Sequence, residues 1–447
     1  MKEFLKIVFG LAFPIALQNL INTAVTTADV VMLGKVGETA LSSGSLAGQI
    51  QFVMSLMIFG MTSGASVLTA QYWGKKEIGT IEKVFSMTLC FAVTAGVLFF
   101  AASELFPEQI MHIFSSEPEV IKGGAAYLRI VALSYPMSAF CTGYLYLMRS
   151  IERAKIGTGV FACSLVLNVV LNAVFIFGLL GAPAMGVQGA ALATLLSRCL
   201  EFILVVGYMW KINRQVRIRR AYFFRWDPLL LKDFLVLSIP VVLNETLWGA
   251  GMSANAAILG QLGSPAAAAN SVVRVIRELV MVMSVGLSAA TSVLVGKAIG
   301  EKRLDVAQTY ARRMVCLSIG ITSCASVTMF CMRGTIAGAL TLGPVAKDYL
   351  LFMLVILAVY SLCQSVSCPV IVGVLRAGGD TRFGLILEGG SLWAGSILTG
   401  WIGAFVLHLP VKAVFVLLMM DEFIKLPFAA FRYRSKVWLK DVTRQHI

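Results

Sequence analysis

Long apolar runs decide what this chain can become. They lie at approximately 7–33, 46–72, 84–106, 126–149, 157–180, 187–210, 234–259, 268–298, 309–332, 348–375, 383–406 and 411–431. About 20 mostly apolar residues in a helix cross the ~30 Å hydrocarbon layer of a bilayer. Strands with open edges would leave backbone groups unpaired in lipid, and the alternation of a transmembrane barrel is missing, so the runs must be helices. Composition agrees: 58% of residues are hydrophobic and 13% charged, where soluble domains carry roughly a quarter charged residues. The expected fold is an all-α integral membrane protein with twelve transmembrane helices.

The net charge of +14 would suit nucleic acid if it were spread evenly, but it is not. Lys and Arg concentrate at the two termini and in the connections after the even-numbered helices, most densely in "KINRQVRIRRAYFFRWDPLLLK" (211–232). The opposite side holds Lys35, Lys122, Arg333, Lys347 and Lys412. The positive-inside rule then puts both termini in the cytoplasm of a plasma or inner membrane. The basic balance is a topology signal, with anionic lipid headgroups as its partners and no nucleic acid. The first run continues from "MKEFLKIVFGLAFPIALQNL" into a full span with no small-residue cleavage site before it, so no cleaved signal peptide is expected. The nine cysteines show no CxxC spacing and fall within predicted helices, which reads as buried apolar packing. His112, His408 and His446 are scattered and read as surface residues. No GxSxG, HExxH or P-loop pattern points to an enzyme.

The chain repeats itself. Residues 14–74 fall on 240–300 without a gap: Pro14 meets Pro240, "LGKVGETA" (33–40) meets "LGQLGSPA" (259–266), Gly60 meets Gly286, "SVL" (66–68) meets "SVL" (292–294), and Gly74 meets Gly300. Chance apolar similarity would not keep proline and glycine in register. Six helices per repeat return the chain to its starting side, so the repeats are parallel six-helix bundles about an axis along the membrane normal, as in many secondary transporters. The expected organisation is an N-terminal bundle over 1–210, a basic cytoplasmic linker over 211–233, and a C-terminal bundle with its cytoplasmic tail over 234–447.

Within this frame, "DVVMLGKVG" (29–37) follows the first-helix proline, and "GASVLTAQYWG" (64–74) closes helix 2. "GVQGAALAT" (186–194) enters helix 6, and "LRAGGDT" (375–381) follows helix 10. In this order, over both halves, the sequence resembles the multidrug and toxic compound extrusion (MATE) family. The resemblance implies an exporter of organic cations or drugs, coupled to H+ or Na+ by alternating access, without a cofactor and acting as a monomer. The wider superfamily also contains flippases of lipid-linked glycan precursors, which is the alternative.

Asp29 is the ionisable residue most in need of explanation, because it stands in a membrane-length apolar run. Gln18, Asn19, Asn22, Thr23, Thr26 and Asp29 share an arc about 140° wide on a helix. The stripe predicts a wet face on which Asp29 binds a proton or sodium or pairs with a cationic substrate; the alternative is a helix-end carboxylate reaching headgroups. The resemblance implies the coupling role, since MATE members carry a coupling aspartate here. On the second repeat Gln18, Asn19, Asn22, Thr26 and Asp29 map to Asn244, Glu245, Trp248, Met252 and Asn255. Glu245 sits ten residues before the counterpart of Asp29, about 15 Å along the helix. Gln18, Asn19, Asn22, Thr26, Asn244, Glu245, Trp248 and Asn255 are the expected substrate-cavity residues, although Glu245 can equally hold its bundle together.

Asn168 and Asn172 lie one turn apart on helix 5 and Thr194 enters helix 6. Some family members place Asn and Asp at the helix 5 spacing as part of a sodium site with the helix 1 aspartate. Asp29, Asn168, Asn172 and Thr194 are therefore the expected cation-coupling set; the bland alternative is interhelical hydrogen bonding worth about 1 kcal/mol. The second amide replaces a carboxylate, which favours protons, because desolvation favours the neutral form of a lone carboxylate. The family's helix 10 aspartate has no counterpart in 348–376. Arg198 with Glu201, Arg274 with Glu278, and Glu422 with Lys425 have helical spacing for structural pairs. Glu388, in helix 11, faces the same choice as Glu245 and ranks below it.

Overall fold

The protein is described by a computed structural model covering residues 2–223, 226–340 and 342–444; His446 lies outside the described residues. Among the described residues every regular element is a helix. Its first half runs through α1 (Lys2–Val36), α2 (Glu38–Lys75), α3 (Ile78–Leu105), α4 (Pro107–Phe114), α5 (Pro118–Ala132), α6 (Tyr135–Ser150), α7 (Ala154–Phe177) and α8 (Val187–Lys211). The second half runs through α9 (Pro228–Gln261), α10 (Ser264–Gly300), α11 (Leu304–Ala339), α12 (Pro344–Cys368), α13 (Thr381–Gly390), α14 (Leu398–Phe405), α15 (Val411–Leu418) and α16 (Asp421–Arg434). One π-helical segment, Pro369–Leu375, extends α12, and another, Ser391–Ile397, joins α13 to α14.

Among the described residues, eight helices are long and apolar enough to cross a membrane, and a ninth span appears when α5 and α6 are joined across their 56° bend. The other expected runs fall on α9, on the rod formed by α13, the π segment and α14, and on α15 with α16. The straight helix expected over 126–149 is therefore broken. Pro136 stands at the start of α6, where its missing N–H is tolerated. The bend packs on α3 at Gly96, where an added Cβ would lie 2.9 Å from Tyr135 O and Pro136 Cα. The run at 411–431 breaks too, between Leu418 and Asp421, just where Asp421, Glu422 and Lys425 enter. The short helix α4, which the apolar runs did not foreshadow, opens on Pro107.

The repeat is written into the backbone as well as the sequence. Gly37 (φ 149°) and Gly263 (φ 119°) make the turns after α1 and α9; Lys76 (φ 61°) and Lys302 (φ 59°) leave α2 and α10 in the left-handed region. Each pair occupies matching positions of the two repeats, and the prolines Pro14 and Pro240 both lie inside helices.

Packing divides the chain into two units. One comprises Leu17–Thr69 and Glu77–Leu235; the other Met1–Ala16, Ala70–Lys76 and Val236–Ile447. The units thus follow packing rather than the sequence halves: the start of α1 and the last turns of α2 pack with the second half's residues. The first unit is cored by Leu33, Met54, Ile58, Leu128, Tyr135 and Ile176. In the second unit Leu350, Leu354, Val414 and Phe415 form one apolar cluster, and Val295, Ile299, Val374 and Trp438 another. Large apolar side chains remain outside, such as Ile386 at 73% exposure and Phe431 at 75%, the surface a lipid-bathed helix needs.

The C-terminal tail closes the second unit. Gln71 donates to Ala377 O (2.8 Å) and Lys440 O (3.1 Å), and Val442 N donates back to Gln71 Oε1 (2.9 Å). Lys75 pairs with Asp441 at 3.1 Å. Trp438 is buried, and an added Cβ at Gly378 would lie 1.5 Å from its carbonyl oxygen, so only glycine admits the tail.

All nine cysteines are free, and each lies within a helix. The expectation of buried packing holds for Cys141 but not for Cys163, Cys316, Cys324 and Cys331, which are exposed. A helix in lipid keeps apolar residues on its outer face, so a cysteine's helical setting does not imply burial. His112 and His408 are exposed.

Candidate functional site

The polar stripe of α1 ends at Asp29, and the first unit brings the expected coupling set together around it. Asn172 Nδ2 donates to Asp29 Oδ1 at 2.5 Å and to Asn168 Oδ1 at 3.1 Å; Asn168 Nδ2 reaches Thr194 Oγ1 at 3.5 Å. A continuous thread therefore joins α1, α7 and α8. Helical spacing does the positioning, since residues 168 and 172 are one turn apart on the face of α7 that meets α8. Asn168, Asn172 and Thr194 are fully enclosed, while Asp29 is half-buried.

Two residues that the sequence reading did not assign to this site complete it. Tyr127, buried on α5, hydrogen-bonds Thr194 and lies within electrostatic reach of Asp29. Arg198, one turn beyond Thr194, forms a pair with Glu201 at 2.8 Å and also acts on Asp29. The spacing of Arg198 and Glu201 announced their pair; the nearness of Arg198 to Asp29, on another helix, was not readable from that spacing. Asn172 Oδ1 is buried without a hydrogen-bond partner among the described residues. The cluster thus offers a carboxylate, an unsatisfied amide oxygen and a hydroxyl in one place, groups that suit a proton or a small hard cation.

The expected cavity residues fare differently. Asn19 and Asn22 are half-buried and Thr26 is exposed, its hydroxyl turned back to Asn22 O at 3.3 Å. Gln18 is taken out of any cavity. Its Nε2 donates to Ala154 O (2.6 Å) and Thr158 Oγ1 (3.0 Å), while its Oε1 accepts from Arg149 Nε (2.9 Å) and the Arg149 guanidinium again (2.5 Å). Every hydrogen-bonding position of the amide is spent.

In the second repeat the expected cavity set is likewise engaged inside its unit. Glu245 pairs with buried Arg376 at 2.7 Å, Asn244 Nδ2 donates to Glu388, Trp248 packs on the apolar cluster around Leu350, and Asn255 is buried. Helical periodicity gave these residues a common face but could not tell a cavity from a packed neighbour. Arg376 was visible in "LRAGGDT", and Arg149 stands at the end of the corresponding helix of the first repeat, one residue out of register. Each of these arginines pins a polar residue on the first helix of its own repeat.

A further buried network gathers on α16. Lys425 lies 3.1 Å from Asp421 and 2.8 Å from Glu422, Glu422 accepts from Ser367, and Tyr360 OH reaches Asp421 at 3.5 Å. Arg277 stacks over the Tyr360 ring at 5.2 Å. The expected pair Glu422–Lys425 is part of this larger set.

Comparison with known proteins follows the same two-fold division. The family model MatE matches residues 14–174 and again 240–402. YisQ of Bacillus subtilis, an uncharacterized transporter, is 22% identical over 97% of this chain and 94% of its own. A probable multidrug resistance protein NorM of Bradyrhizobium diazoefficiens is 24% identical over 95% of this chain and 92% of its own. Among solved structures, a MATE protein in the bent conformation superposes with a TM-score of 0.88 at 19% identity, covering 97% of this chain and 95% of that one. A MOP superfamily transporter from Pyrococcus furiosus superposes with a TM-score of 0.87 at 19% identity, covering 96% and 95%. The shared fold has twelve spans.

Proposed function

The chain belongs to the MatE family of multi-pass membrane transporters, and on that premise we propose that it exports organic cations or drugs by cation-coupled antiport. Members of the family are ion-coupled antiporters rather than enzymes. Relatives similar over most of the chain include proteins named as multidrug resistance proteins. The reading rests most on one observation: Asp29, in a membrane-length helix, is joined to an amide whose own oxygen, Asn172 Oδ1, is buried without a partner.

In the proposed cycle a proton or sodium ion enters from outside and occupies Asp29, with Asn168, Asn172 and Thr194 around it and Asn19, Asn22 and Thr26 on the adjoining face of α1. Neutralising Asp29 weakens the attraction for a cationic substrate and favours its outward release. The repeats, 1–210 and 234–447 with 211–233 as their cytoplasmic linker, then change access together. A potential of about 100 mV contributes ~2.3 kcal/mol per net charge moved.

Export of cations is favoured over flipping of phosphate-bearing glycan lipids by how the buried arginines are used. Arg198 is paired with Glu201 and Arg376 with Glu245, while the Arg149 guanidinium is hydrogen-bonded to the neutral amide of Gln18, so all three are engaged within the protein.

The test is ethidium transport into inverted vesicles under separately imposed proton and sodium gradients. Wild-type protein should respond to one gradient, and Asp29→Asn should lose that response at unchanged membrane expression. Transport by Asp29→Asn at the wild-type rate would remove Asp29 from the mechanism.

A further inference from the structure

The second repeat also joins its first and fifth spans by a carboxylate–amide pair, with the partners exchanged relative to Asp29–Asn172 and at another depth, since Asn244 is the counterpart of Gln18 and not of Asp29. In the first repeat the carboxylate is on the first span, α1, and the amide on the fifth, α7. In the second repeat the amide, Asn244, is on the first span, α9, and the carboxylate, Glu388, is on the fifth, the rod of α13, π segment and α14. Asn244 Nδ2 donates to Glu388 Oε2 just as Asn172 Nδ2 donates to Asp29 Oδ1. Both amide oxygens are then buried without a hydrogen-bond partner among the described residues, and Asn244 is only 5% exposed. Buried acceptors are normally satisfied, so one left open marks a place where something else supplies positive charge.

The surrounding charges leave room for that. Glu245 on α9, Cys368 on α12 and Lys425 on α16 all act on Glu388. Arg376 is held by Glu245 at 2.7 Å, and Lys425 lies between Asp421 and Glu422. With these cations matched to other carboxylates, Glu388 is left with an amide where its neighbours have a cation. Its helix changes to π geometry three residues later, at Ser391, and π segments gather at functional sites.

We propose that Glu388 and Asn244 form a second seat for a small hard cation, H+ or Na+, in the second repeat. With the Asn244 amide turned over, so that Oδ1 replaces Nδ2 beside Glu388, a sodium ion is ligated by the Glu388 carboxylate and Asn244 Oδ1. A proton instead neutralises Glu388, whose O–H donates to Asn244 Oδ1 once the amide has turned over. The role of this seat in transport rests on the antiport reading, but its occupancy does not.

Occupancy is measured on the full chain in nanodiscs without transport substrate, by radioactive sodium binding and by proton uptake on acidification. Counted relative to the Asp29→Asn/Glu388→Gln double variant, which corrects for the other titrating side chains, wild type should take two further equivalents of whichever cation binds. Glu388→Gln and Asp29→Asn should each take one more than that double variant. Asn244→Leu should weaken the second equivalent by about tenfold by removing its amide oxygen; this variant also carries the test if Glu388→Gln fails to fold. Wild-type counts for both ions in Glu388→Gln, or wild-type affinity in Asn244→Leu, would overturn the proposal. The two readings separate cleanly: Asp29→Asn with wild-type efflux defeats the Asp29 mechanism, whereas the second seat is judged by the Glu388-dependent equivalent alone.

Discussion

At Gln18 one amide makes contacts with Ala154, Thr158 and Arg149, and this shows how far a single residue can be read. Its place on the stripe with Asn22 and Asp29 was legible from helical period; its use was not, because the arginine that fills its face comes from the end of α6, far along the chain. The expected outcome of Gln18→Ala is loss of stability, about 1–3 kcal/mol from leaving buried Arg149 short of an acceptor. This should appear as a lower melting temperature in detergent, with the choice of coupling ion unchanged in the folded protein. A variant of native stability with altered ion choice would return Gln18 to the transport path. Asp29, Asn168, Asn172 and Thr194 behaved otherwise: one spacing rule placed the two asparagines on the α7 face that meets α8, and the resemblance supplied the grouping with Asp29 that the structure displays. Glu245 was legible as a membrane-depth acid, and its partner Arg376 was not, since the pairing joins residues on different helices.

Between elements, glycine sets how closely helices approach. A Cβ at Gly300 would lie 1.9 Å from Gln71 O, and one at Gly74 would lie 2.2 Å from Lys297 O. The repeat put Gly74 and Gly300 in register, and the structure gives the reason: the ends of α2 and α10 touch reciprocally, backbone to backbone. Gly300→Ala should force these ends apart and lower the melting temperature by several degrees, on the order of 1–3 kcal/mol for an overpacked contact. A neutral effect in a thermal-shift assay would mean the approach is looser than described. The bend between α5 and α6 and the break before α16 were invisible to a search for apolar runs. Apolarity records where lipid is, whereas a bend depends on Pro136 meeting Gly96 and on charges that find partners inside the protein.

For the whole molecule, charge asymmetry and apolar length act together. If the basic segments lie in the cytoplasm, a cysteine introduced at Lys436 should react with an impermeant maleimide only in inverted vesicles, and one at Lys122 only in intact cells. The assay requires a background free of the native cysteines, of which Cys163, Cys316, Cys324 and Cys331 are exposed. Labelling of Lys436→Cys from outside would reverse the topology and, with it, the direction of the proposed export. The packed units also show a whole-molecule property that the repeat conceals. Sequence symmetry cuts the chain near 210, but residues of α1 and α2 pack in the unit that holds the second half.

The sequence by itself determined that this is a helical membrane protein built twice over, because lipid permits few ways to satisfy a backbone and because proline and glycine keep register only under structural constraint. It also marked the buried acids and amides, since such groups are costly in hydrocarbon. Only the tertiary structure decided which of them are spent on each other and which are left with an open oxygen. That outcome depends on contacts between residues distant along the chain, and helical period reports a residue's face without reporting what meets it.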